Sequence, residues 1–170
     1  MRSSKRFAAV GMLAALALIA FMIESLLPPM LAFAPGTKIG FSSVFVSLCL
    51  ILYGERDALL VLIVKCALGS VFSGNVFSLY YSLPAGLASL LISVLLYRRA
   101  FPKVSVLFIS VVSAVCHNIT QIMMAWALLN MAQVLCYVPV VTLAGAIAGT
   151  VTGACVYYAV KALPERLIYL

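Results

Sequence analysis

Residues 104–129 read VSVLFISVVSAVCHNITQIMMAWALL. As an α-helix this run is roughly 39 Å long, enough to cross the ~30 Å hydrocarbon core of a bilayer. It holds no Asp, Glu, Lys or Arg, yet its centre carries the chain's only histidine, His117, beside Asn118, Thr120 and Gln121. Hydrocarbon offers such groups no water, so they should face protein, a cavity or a ligand. At 100° per residue, Ser110, Ser113, His117 and Gln121 fall within about 80° of one another, Asn118 lies some 60° beyond, and Trp126 points the opposite way. One face of this helix is expected to look into a bundle and the other into lipid.

The rest of the chain has the same character. Of 170 residues, 66% are hydrophobic and 9% charged, against about half and a quarter in a soluble domain. The apolar runs are long and lack period-2 alternation, so they are helices rather than barrel strands. The reading is an all-α integral membrane protein, one domain over 1–170, with six transmembrane helices in one bundle near 7–27, 39–53, 58–72, 84–97, 104–129 and 139–163. Pro28-Pro29 stops the first span, and Pro84 suits the first turn of the fourth. Spans two and three are short. A re-entrant hairpin would leave Glu55, Arg56 and Asp57 at membrane depth, whereas two crossings of a locally thinned bilayer cost less.

Charge orients the bundle. The net charge is +7, and Arg2, Lys5, Arg6, Arg56, Arg98, Arg99, Lys103, Lys161 and Arg166 lie at segment ends or in short turns, as the positive-inside rule requires. Both termini are then cytoplasmic, with Lys38 outside and Lys65 within a span. No basic aromatic face points to nucleic acid. Met1–Arg6 and Ala32-Phe33-Ala34 have the look of a signal peptide, but the run 7–27 is too long for its apolar core and reads as a retained first span. The five cysteines are spread one per apolar segment without C-x-x-C, which favours packing over ligation or pairing.

Glu24, Lys38 and Asn75 fall at outer ends or outer loops. With the stripe of the fifth span they describe a polar pocket opening outward, weakly favouring an anionic or strongly polar solute. Lys65 costs roughly 2.5–3.5 kcal/mol at a span centre and should have a partner. In-chain packing of the polar groups remains the competing reading. Ala8, Gly11 and Ala15 share a face of the first helix, where packing within the same chain is the simpler expectation and docking of another protein the alternative. Gly145, Gly149 and Gly153 form a small-residue ridge on the sixth. The absent chemistry is equally informative. The chain has no G-x-x-x-x-G-K-[ST] for ATP, no metal-ligand spacing, and four acids in all, too few for the Mg²⁺ sites of diphosphate chemistry. No cofactor is expected.

Pro35-Gly36-Thr37-Lys38-Ile39-Gly40, then Gly69-Ser70 with Ser73-Gly74-Asn75 and Tyr81-Ser82, then Cys116-His117-Asn118-Ile119-Thr120-Gln121 followed by Tyr137-Val138-Pro139 resemble the Gx transporter family, also labelled heptaprenyl diphosphate synthase component I. That family is similar to the S components of energy-coupling factor (ECF) transporters, six-helix proteins that bind a small solute from outside while a T component and ATPases act in trans. The resemblance covers nearly the whole chain. It implies a solute site of Lys38, Asn75, His117, Asn118 and Gln121, to which Lys65, Glu24 and Tyr81 are added here, and partner docking on Ala8, Gly11 and Ala15. Ser43 stands where the family has an asparagine, and Gly11-x-x-x-Ala15 replaces its A-x-x-x-A. The expected role is the solute-binding subunit of an importer in the bacterial cytoplasmic membrane. The expected partners are solute, lipid, T component and ATPases. The alternative is a non-catalytic membrane component of heptaprenyl diphosphate synthase.

Overall fold

The computed structural model describes residues 3–26 and 40–162. Among them are six α-helices and no strand: α1 Ser3–Leu26, α2 Phe41–Tyr53, α3 Glu55–Phe72, α4 Phe77–Ala100, α5 Val106–Leu129 and α6 Val138–Lys161, with a short 3-10 helix, Ala132–Tyr137, leading into α6. Lys38, the loop 28–38 around it and the chain beyond 162 lie outside the described residues.

The helices begin and end for local reasons. Gly54 alone joins α2 to α3, at φ 92° and ψ −177°, a conformation essentially closed to residues with a Cβ. Ser105 Oγ accepts the Phe108 N–H at 3.2 Å to cap α5, and Asn130, at φ 52°, ends it in the left-handed region that asparagine tolerates. The expected start of the fourth span near Pro84 is corrected. The Asn75 carboxamide oxygen accepts the Ser78 N–H at 3.2 Å and sets the helix going from Phe77, so Ser78, Tyr80, Tyr81 and Ser82 are helical and Pro84 sits inside α4. Neighbouring helices make an interior proline tolerable in a membrane bundle.

The α1, α4, α5 and α6 segments are long and apolar enough to cross a membrane; α2 is a shorter apolar helix, and α3 carries Glu55, Arg56 and Asp57 in its first turn. Their outer surfaces expose large apolar side chains such as Phe7, Leu91, Leu143 and Ile147. Water would not tolerate so continuous an apolar coat, and lipid does. This is a membrane protein.

The two ends of the bundle differ. Arg6 Nε donates to Asp57 Oδ2 at 2.7 Å, and Arg98 Nη2 to Glu55 Oε2 at 2.8 Å. These pairs gather the starts of α1 and α3 and the end of α4 at one basic end. Next to it lies the apolar core, where Cys49, Leu50, Val61, Cys66, Ile109 and Val156 are fully buried. α5 and α6 pack antiparallel through the glycine ridge: a Cβ at Gly149 would lie 2.7 Å from Val111 Cα, and one at Gly153 2.9 Å from Ser110 Cβ. The opposite half of the bundle is not filled.

Ala8, Gly11 and Ala15 are exposed, and nothing lies within 4 Å of a Cβ built on Gly11. The expectation that this face packs within the chain is corrected: α1 turns Val10, Ala14 and Ala17 inward instead.

Candidate functional site

The unfilled half holds a cavity of about 380 Å³. It lies between the end of α1, the starts of α2 and α4, the end of α3 and the middles of α5 and α6, away from the basic end. Glu24, Lys65, Asn75, Tyr81, His117, Asn118 and Gln121 all line it. These residues come from separate parts of the chain and are brought together here; Lys38 falls outside the described residues.

The buried charges are linked. Lys65, 6% exposed, donates from Nζ to Ser42 Oγ at 3.1 Å, and Ser42 Oγ donates to Glu24 Oε2 at 3.5 Å. Glu24 Oε1 also accepts the backbone N–H of Phe41. That N–H is an orphan donor of the first turn of α2, where the helix dipole favours a carboxylate. Lys65 therefore has the partner that its depth demands, and one hydroxyl carries the connection between cation and anion.

The amides divide into roles. Asn118 lines the cavity, but its Nδ2 donates to the Val141 carbonyl at 3.2 Å, and a Cβ at Gly145 would lie 2.7 Å from that same nitrogen. Asn118 thus ties α5 to α6, which is the in-chain packing reading for this residue. Asn75 likewise serves the start of α4. Gln121 is buried on the cavity wall, and His117 is half-buried beside it. Trp126 faces outward, as its angle on the helix requires.

Serine is what the sequence reading undervalued. Eleven of the fifteen serines in the chain line the cavity, so hydroxyl supply rather than charge dominates its polar surface. Asn75, just before α4, and Ser78, Ser82, Gly86, Ser89 and Ser93 within it recur at spacings of three and four, a small and polar stripe that runs down one helix face. This stripe faces the one on α5, and the two meet where Ser93 Oγ and Ser113 Oγ lie 2.6 Å apart. That spacing was the available signal. Ser43, at the position where the resembled family has an asparagine, also lines the cavity and donates to the Gly40 carbonyl.

Among the described residues, no group of three or more His, Cys, Asp and Glu side chains could hold a metal ion. The wall offers hydrogen bonds and one linked ion pair, an arrangement suited to holding a small molecule.

Comparison with known proteins gives one family. The sequence pattern described as heptaprenyl diphosphate synthase component I matches residues 13–159. No curated protein matches the chain.

Proposed function

The chain belongs to the heptaprenyl diphosphate synthase component I family, and from that premise we propose that it is a non-catalytic membrane subunit that captures a small polar solute, as the S component of an ECF-type importer does. The observation that carries this reading is the cavity at the end of the bundle remote from Arg6, Arg56, Arg98, Arg99 and Lys161. Under the positive-inside rule the basic end is cytoplasmic, so the cavity opens outward. Six crossings then leave both termini inside, in a bacterial cytoplasmic membrane. Glu24, Lys65, Asn75, Tyr81, His117, Asn118 and Gln121 form the solute site, to which the family resemblance adds Lys38. The exposed face of Ala8, Gly11 and Ala15 is the docking surface for a T component, whose ATPases supply energy in trans.

The test is co-purification. Membranes expressing the tagged chain with the T component and ATPases of its host should yield all of them together, and the purified chain should retain a solute. Recovery of the chain alone and empty would end the importer reading.

The family description favours a second reading, a non-catalytic membrane component of heptaprenyl diphosphate synthase. Chemistry on diphosphates needs Mg²⁺ held by several carboxylates. Of the four acids here, Glu55 and Asp57 are engaged in ion pairs at the basic end and Glu24 is linked to Lys65. A catalytic partner would have to bring its own metal site. Co-expression with such a soluble partner should then be required for heptaprenyl product; full activity of the partner alone would remove this reading.

A further inference from the structure

We propose that the solute is a small organic anion whose charged group is held by the Lys65 ammonium. This rests on the solute-binding reading above and narrows it to a chemical class.

Lys65 is 6% exposed on the cavity wall, and a charge placed so deeply is costly unless it is paired and hydrogen-bonded. An ammonium carries three donors. Among the described residues Lys65 uses one of them, on the neutral Oγ of Ser42 at 3.1 Å, and touches no carboxylate. The arginines of the basic end are far more exposed, yet Arg6 and Arg98 each contact a carboxylate directly. Coulomb attraction in such a contact is largest where water screens least. The most buried of these three cations is therefore the one without a direct counter-charge, and an anionic group arriving from the cavity supplies it.

Glu24 does not fill that place. Its Oε1 accepts the Phe41 N–H at the start of α2, where the helix dipole stabilises a carboxylate. It is joined to Lys65 through the Ser42 hydroxyl rather than directly, which leaves the ammonium two N–H groups for a solute. Glu24 is also the one acid among the described residues that line the cavity. The family resemblance adds Lys38 to the site, and an imidazole such as that of His117 is either neutral or cationic, so each shifts the balance only toward an anion. At about 380 Å³ the cavity is at the small end of the range for ligand sites. That size suits a molecule of one or two small rings bearing one anionic group.

The experiment uses the full chain purified in detergent, with equilibrium dialysis at neutral pH against two sets of matched probes. One set is benzoate, benzamide and benzylamine; the other is cyclohexanecarboxylate, its amide and cyclohexylmethylamine. The anion of at least one set should bind about tenfold or more tighter than both its neutral and its cationic counterpart. Lys65→Met/Glu24→Gln, in which neither charge is left alone, should lose that preference. Glu24→Gln keeps the ammonium and removes its carboxylate, so it should bind the anion at least as tightly as the parent, which a merely structural pair would not do. Tighter binding of an amide or amine overturns the proposal and leaves solute capture standing. So does an unchanged anion preference in the double variant, or weaker anion binding by Glu24→Gln, in protein that still melts cooperatively. Binding of none of the six probes also overturns it, and the co-purification assay then decides the parent reading separately.

Discussion

Glu24 and Lys65 are joined by the hydroxyl of Ser42, which accepts from the ammonium at 3.1 Å and donates to the carboxylate at 3.5 Å. Each charge makes the other tolerable at membrane depth, and the two should fail together. Lys65→Met is expected to destabilise the bundle by about 3–5 kcal/mol, because it leaves a buried carboxylate uncompensated. Adding Glu24→Gln should recover much of that loss. Chemical denaturation of both single variants and the double variant in detergent measures the coupling; losses that add to within ~0.5 kcal/mol would show the two residues to be independent.

The glycine ridge makes a sharp contrast with the outer face of α1. Gly149→Ala brings a Cβ to 2.7 Å from the Val111 Cα and 3.1 Å from the Ser110 carbonyl. Backbone cannot turn aside, so α5 and α6 must separate, at about 1–3 kcal/mol. Gly11→Ala meets nothing within 4 Å and, inside a helix, should be neutral or stabilise by up to about 1 kcal/mol. Thermal melting of the two variants decides it, and equal shifts would contradict the packing of α5 on α6.

Orientation can be read with native cysteines. Cys136 is exposed in the 3-10 link at the cavity end, whereas Cys49 and Cys66 are buried in the core. A membrane-impermeant maleimide applied to intact cells should modify Cys136 and spare those two. Exposed Cys155 lies on the lipid-facing surface of α6, out of reach of a reagent confined to water. Mapping the label by peptide mass spectrometry is the check; labelling of Cys136 only in inverted vesicles would place the cavity inside.

Asn118 and Gln121 should separate stability from capture. Asn118→Ala removes the bond to the Val141 carbonyl and should cost about 0.6–1.7 kcal/mol of stability. Gln121→Ala and His117→Ala are expected to reduce solute retention by about tenfold in protein that still melts cooperatively. If Gln121→Ala and His117→Ala retain solute as the parent does, α5 contributes packing alone.

The α5 stripe was legible because a histidine and two carboxamides are rare in a bilayer, and the 3.6-residue period puts them on one face. The serines of α4 were not. A helical serine can satisfy itself on its own backbone, so each one alone is a weak signal. Their weight comes from convergence across helices, with Ser93 meeting Ser113. The extent of α4 was hidden for a related reason: Ser78, Tyr81 and Ser82 read as a turn until Asn75 is seen closing the first turn of the helix.

The order of residues determines whatever depends on one helix at a time. Membrane length, the apolar class, the sidedness of the basic residues, the face carrying His117 and Gln121, and the glycine spacing of α6 are all of that kind. Period and composition are properties of a single segment, and a bilayer enforces them locally. Which faces meet is a property of pairs, and several packings satisfy the same periods. The bundle was needed to turn Ala8, Gly11 and Ala15 outward, to make Asn118 a tie to α6, and to set Ser42 between Lys65 and Glu24. It also left the hydroxyls of Ser78 and Ser82 buried without a partner among the described residues.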